Sequence, residues 1–121
     1  MPPVESRRQK RVDSVLHDAL SLLLIQELQE VTSDLVTVTR VESAADLQSA
    51  RVLVSLYGPG DKDAALAHLR KRTGPLRRIL ATRVKLKYNP MLFFELDPAP
   101  AFAERLEAII ARSKSHDDDT D

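Results

Sequence analysis

Leu69–Leu80 reads LRKRTGPLRRIL, and the fold turns on how its middle is taken. Upstream, Asp61 can accept a backbone N–H as the N-cap of a helix running to about Arg72. Thr73-Gly74-Pro75 then breaks that helix. Glycine tolerates the left-handed conformation just past a helix end, and proline fits the first turn of a new helix, where its missing N–H is not needed. Leu76, Ile79 and Leu80 supply the apolar face of the second helix. Two short helices meeting at a bend are expected.

Working outward, Ser6 to about Glu30 contains no Gly or Pro. Its Val12, Val15, Leu16, Ala19, Leu22 and Leu23 recur at helical spacing, with Leu20, Leu24 and Leu28 widening the stripe. A long amphipathic helix follows from that pattern. Leu35–Glu42 (LVTVTRVE) and Ser49–Leu56 (SARVLVSL) are rich in β-branched residues and alternate, the second with Ala50, Val52, Val54 and Leu56 on one side. In the first, Val36 and Val38 share a face and Val41 falls out of phase, which a bulge would accommodate. They form an expected antiparallel pair joined through Ala44-Ala45-Asp46-Leu47. After the helix pair, a third strand is expected from about Lys85 to Leu96, interrupted near Asn89-Pro90; a proline there points to an edge position or a bulge. Phe102, Leu106, Ile109 and Ile110 mark a terminal helix. The order is α-β-β-α-α-β-α, an α+β fold with helices packed on a three-stranded sheet.

The chain has 121 residues, enough for one domain with a modest core. It has no cysteine, which removes disulfides and thiolate metal sites. No segment resembles a signal peptide or a membrane span, so a cytoplasmic location is expected. Formal charge balances at 18 basic and 18 acidic residues, but the two signs are segregated. Asp117, Asp118, Asp119 and Asp121 lie in a polar tail, leaving residues 1–116 with 18 basic and 14 acidic groups, a net charge of +4. Between Ala64 and Phe94 there are eight Lys or Arg and no acid. Such self-repulsion destabilises a compact state unless an anionic partner relieves it. Residues 1–6 are expected to be a flexible start, 7–112 the folded domain and 113–121 a disordered acidic tail.

The first N–H groups of a helix have no partner within it and attract anions. Around the break, Arg70, Lys71, Arg72 and Gly74 precede or join the new helix, and Arg77 and Arg78 sit in its first turn, where cations oppose the helix dipole. A phosphate would relieve that conflict. Arg83, Lys85 and Lys87 extend the set, and Arg7, Arg8, Lys10 and Arg11 form a second cluster at the start of the chain. An RNA backbone suits such a surface.

Enzyme chemistry finds little support. His17, His68 and His116 are scattered without metal-ligand spacing, Ser43 has no adjacent base, and Asp61 and Asp63 suit the start of a helix. Gly58 and Gly60 lack the lysine and spacing of a phosphate loop. No catalytic residue, metal or cofactor is expected. Phe93, Phe94 and Phe102 read as core, while Tyr88, between Lys87 and Asn89, is open as a stacking contact.

Several stretches together resemble the ribosome-binding factor A family: Arg8-x-x-Arg11-Val12, Val36-Thr37-Val38-Thr39 with Val41-Glu42, Asp46-Leu47-x-x-Ala50-x-Val52, Gly74-x-x-Arg77, and Leu86-Lys87-x-x-Pro90-x-Leu92-x-Phe94-x-x-Asp97. They span about Arg7 to Asp97. The resemblance implies a type II K-homology-like domain without the Gly-x-x-Gly clamp of ordinary K-homology domains. The family has Ala-x-Gly at the helix break, and here Arg72-Thr73-Gly74 stands instead. It further implies a non-enzymatic factor that binds the immature small ribosomal subunit and its ribosomal RNA, assists late rRNA processing, matters most in the cold, and is released with the help of a GTPase; a monomer is expected. Two rival readings of the residues are a helix-turn-helix DNA-binding protein, reading through Leu76–Thr82, and an interaction module for an acidic protein.

Overall fold

In the computed structural model, which describes residues 6–99 and 105–112, the first helix, α1, spans Arg7–Leu28. Ser6 starts it: its hydroxyl accepts the Gln9 N–H at 3.1 Å while the Gln9 side chain accepts the Ser6 N–H at 2.9 Å. That reciprocal cap satisfies two groups the helix would leave unpaired. Leu16, Leu20, Leu23, Leu24 and Leu28 form the buried stripe. Leu22, expected on that stripe, is 64 % exposed. It lies two residues from both Leu20 and Leu24, on the far side of the helix.

β1 (Leu35–Ser43) and β2 (Ser49–Tyr57) pair antiparallel from Leu35 opposite Tyr57 to Ser43 opposite Ala50. The register shifts between Val38 and Arg40. This bulge lets Val36, Val38 and Val41 all face the core despite their odd spacing. β3 (Met91–Leu96) lies parallel to β2, giving the sheet order β1-β2-β3. A parallel neighbour needs a crossover, which α2 (Lys62–Lys71) and α3 (Thr73–Arg83) provide. The three helices cover one face of the sheet, with Leu69, Leu76, Leu80, Val52, Val54 and Phe94 fully buried between them.

Asp34 ties the end of α1 to the start of α2. Its carboxylate, 1 % exposed, accepts the Gly60 N–H at 2.9 Å and the Lys62 ammonium at 2.6 Å. The bond from Lys62, then that from Gly60, hold the acid below its ordinary range. Gly58 has φ +144°, and a Cβ there would fall 2.2 Å from Asp34 Oδ1; at Gly60 it would fall 2.6 Å from Thr32 Oγ1. These two glycines make room for an ion pair. Just past the end of β3, the Asp97 carboxylate accepts the Thr39 hydroxyl at 2.6 Å and the Ala99 N–H at 3.0 Å, in that order the causes of its lowered pKa. Asp97 thereby links the end of β3 to the bulge of β1.

Four expectations need correction. The break falls at Arg72 alone (φ −95°, ψ 8°), and Thr73, Gly74 and Pro75 already belong to the first turn of α3. Gly74 has no positive φ and its Cβ direction is open. The third strand begins at Met91, and in the irregular stretch before it the Asn89 and Pro90 carbonyls accept from the Arg77 side chain instead of pairing with a strand. Phe93 is 52 % exposed although Phe94 is buried: alternate strand residues face opposite sides, and among the described residues no helix covers Phe93 on the second face of this sheet. Residues 105–112 are helical, as expected, but Leu106, Ile109 and Ile110 are exposed and add nothing to the core. Phe102, His116, residues 1–5 of the expected flexible start and the tail 113–121 lie outside the described residues.

Candidate nucleic-acid interface

The cations between residues 70 and 87 do not behave alike. Arg70 Nε donates to Phe94 O at 3.2 Å, covering an outward carbonyl on the free edge of β3. Arg72 Nε donates to Glu27 Oε1 at 2.6 Å, and His68 Nε2 lies 3.1 Å from the same oxygen. Arg77 Nε donates to Pro90 O at 2.9 Å and its Nη2 to Asn89 O at 2.7 Å, fixing the approach to β3. The first three arginines of the set on which the sequence reading relied are therefore also structural.

Each is anchored chiefly through Nε. A guanidinium has five N–H donors, so one or two bonds to the protein leave others directed away. An anchored head loses less freedom on meeting a planar oxyanion than a free one does. Burial raises the Glu27 pKa, but the hydrogen bonds from Arg72 and then His68, with their charges, more than offset it and leave this carboxyl below its ordinary value of 4.5. One partly buried carboxylate oxygen thus meets both the Arg72 guanidinium and the His68 ring.

Lys71, Arg78, Arg83, Lys85 and Lys87 are exposed and form no ion pair among the described residues. The outer face of the sheet differs. There Arg51 bridges Glu42 at 2.9 Å and Glu95 at 2.6 Å, and Arg40 meets Glu42 at 3.0 Å. Cations on the sheet are matched by acids; those along α3 are not. Gly74 sits at the second position of α3, and with Pro75 offering no N–H and Leu76 bonded to Arg72 O, the outward donors of that turn belong to Thr73 and Gly74.

The N-terminal cluster joins this surface at one point. Arg7, Arg8, Lys10 and Arg11 occupy the start of α1, whose first turn holds no acid. Gln9 Nε2 donates to Ser43 O at 3.2 Å and Asp13 Oδ1 accepts the Ser43 N–H at 2.8 Å, holding this helix start against the end of β1. Arg8 consequently shares a depression with Lys87 and Tyr88. Exposed cations thus recur along the chain from Lys71 through α3 to Lys87, and Arg8 meets Lys87 at this one depression. Lys10 and Arg11 are exposed on α1 and do not line that depression.

The remaining candidates are structural. His17 Nε2 lies 2.8 Å from Val38 O beside the bulge, and His68 belongs to the Glu27 cluster. The one-residue junction between α2 and α3 is shorter than the three or four residues of a helix-turn-helix. Sequence reasoning missed Glu27. A lone acid on a helix gives no local sign of its partners, which here lie 41 and 45 positions away.

An α-β-β-α-α-β domain with its third strand parallel to the second, and a bent helix pair between them, is a small α+β protein of the type II K-homology-like class. Comparison with known proteins is more specific. The family model for ribosome-binding factor A matches residues 8–110. The ribosome-binding factor A of Brevibacillus brevis is 38 % identical over 104 residues, covering 85 % of this chain and 86 % of the relative. That of Coxiella burnetii is 34 % identical over 113 residues, covering 93 % and 95 %. The crystal structure of ribosome-binding factor A from Thermus thermophilus superimposes with a TM-score of 0.64 at 27 % identity, over 73 % of this chain and 94 % of that one. A Thermus thermophilus homology model fitted into the cryo-EM map of a 30S complex gives 0.55 at 28 % identity, over 69 % and 93 %. The chain belongs to the ribosome-binding factor A family.

Proposed function

We propose that this protein binds the immature small ribosomal subunit through its ribosomal RNA and assists late rRNA processing, with most effect in the cold. It acts in the cytoplasm as a monomer without chemistry of its own, and a GTPase assists its release. The observation that carries the RNA contact is the set of exposed cations from Lys71 to Lys87 that form no ion pair among the described residues, with Arg8 meeting Lys87 at one depression. Family membership supports the particle, as does the 30S complex recorded for the Thermus thermophilus relative. No helix of the described residues is long and apolar enough to cross a membrane.

The test uses Lys71→Glu with Arg78→Glu, because neither side chain is hydrogen-bonded within the described fold. Binding to purified precursor small subunits is measured across a salt titration. With about four phosphate contacts, log K for the wild type should fall by roughly three per decade of salt. The double variant should bind more weakly and with a shallower slope, while its unfolding curve stays that of the wild type. Equal binding at every salt concentration would refute the reading. Binding that survives nuclease digestion of the particle would transfer it to an acidic protein partner.

A further inference from the structure

Tyr88 stands apart from the other aromatic residues of the described fold. Phe94 is core, and Tyr57 and Phe93 lie at exposed positions of the sheet; Tyr88 lies in the irregular stretch between α3 and β3, 40 % exposed, within the acid-free run. It lines two open depressions. One, about 260 Å³, lies between the ring and the β1–β2 turn, with Arg8 and Lys87 at its margin. The other, about 280 Å³, lies toward the end of α3, lined by Val84, Lys85 and Leu86. Both are smaller than the ~300–1,000 Å³ of pockets that enclose whole drug-sized ligands, and suit a single flat heterocycle.

The surroundings favour one electron-rich, planar ligand attached to an anion. Lys87 Nζ lies 5.4 Å from the centre of the Tyr88 ring. Arg8 reaches the same depression from a different part of the chain. The one acid on that wall, Asp46, has its Oδ1 turned to the Gln48 N–H at 3.1 Å. The turn that forms the far wall is closed by bonds between Ala44 and Ser49 and between Leu47 and Ala44, and holds Leu47 at φ 61°. Non-glycine residues adopt that conformation only where their surroundings enforce it.

We propose that Tyr88 is a stacking platform for one unpaired RNA base, with Arg8 and Lys87 holding the phosphates beside it. This rests on the RNA-binding reading above and assigns that surface a base-contacting point in addition to its backbone contacts. An aromatic face stacks on any base, so the site orders the strand without selecting its sequence.

The experiment uses the full chain and two probes: an unstructured single-stranded RNA oligomer, and an abasic ribose-phosphate oligomer of equal length. Because the chain contains no tryptophan, Tyr88→Trp introduces a single reporter. Its fluorescence should be quenched by the RNA oligomer and not by the abasic one. Tyr88→Ala should weaken binding of the RNA oligomer at least fivefold and leave the abasic oligomer unaffected, and Tyr88→Phe should bind as the wild type does. Equal affinity of Tyr88→Ala and wild type, or equal losses on both oligomers, overturns the platform. If Arg78→Glu weakens both oligomers while Tyr88→Ala changes neither, the platform falls and the cationic reading stands. If the wild type binds precursor subunits but not the RNA oligomer, the platform again falls; if it binds neither, both readings fall.

Discussion

Gly74→Ala distinguishes two accounts of the helix break by its effect on stability. If Gly74 were a left-handed residue closing α2, a β-carbon would be strained and the substitution would destabilise by about 1 kcal/mol or more. In the structure Gly74 is the second residue of α3, without a positive φ, and beyond its chain neighbours and its own helix no atom lies within 4 Å of where its Cβ would stand. The ring of Pro75, which disfavours helical backbone for a residue with a Cβ just before it, is what opposes the methyl group. Alanine still gains from restricting the unfolded chain, and with part of that gain offset the expected change lies between zero and about 0.5 kcal/mol of stabilisation. In a domain of this size that raises Tm by at most roughly 4 °C. The assay is equilibrium urea unfolding followed by far-UV circular dichroism, with the m-value expected to stay constant. Gly58→Ala is the control: at φ +144°, with Asp34 Oδ1 2.2 Å from the new Cβ, it should lose stability by more than Gly74→Ala gains. A loss of about 1 kcal/mol or more in Gly74→Ala would refute the placement of the break at Arg72.

The arginine pair gives a second contrast. Arg77→Met removes charge-assisted bonds to Asn89 O and Pro90 O and should destabilise by about 2 kcal/mol, whereas Arg78→Met should unfold with the wild type and lose affinity for precursor subunits. Equal stability of the two variants would show that Arg77 is not structural. Among the phenylalanines, Phe94→Ala should cost about 3–5 kcal/mol and Phe93→Ala under about 1 kcal/mol by the same unfolding measurement. Acid titration tests the carboxylates. Glu27, Asp34 and Asp97 all have lowered folded-state pKa values, so each contributes stability that is fully present above its unfolded value, 4.5 for Glu27 and 3.8 for the two aspartates, and is lost as pH falls through the lower folded value. Asp97→Asn should flatten the acid limb of the stability–pH curve; an unchanged limb would rule out the Thr39 bond as its source.

Local pattern reached a long way into this fold. The 3.6-residue recurrence of leucines marks α1, and two-residue alternation marks β1 and β2. The misphased Val41 foretold the bulge between Val38 and Arg40. Alternation along β3 could also have separated Phe93 from Phe94, but an unbroken apolar run hides which residues face outward until the second sheet face is known to be open. Leu106, Ile109 and Ile110 show the same limit: a stripe on a helix states that it is amphipathic, not what it lies against.

What the sequence by itself determined is the order of elements, the presence of a bent helix pair, and the concentration of unbalanced positive charge along that pair and the stretch after it, with a second cluster at the start of α1. These depend on spacing and composition, which are local properties. Only the tertiary structure divided the cations into anchored and unpaired groups. Arg70, Arg72 and Arg77 find their acceptors 24, 45 and 13 positions away, on β3, on α1 and before β3. The same packing carried Arg8 across the domain to Lys87 and Tyr88. A hydrogen bond acts over about 3 Å, and chain spacing says nothing about which distant groups come that close.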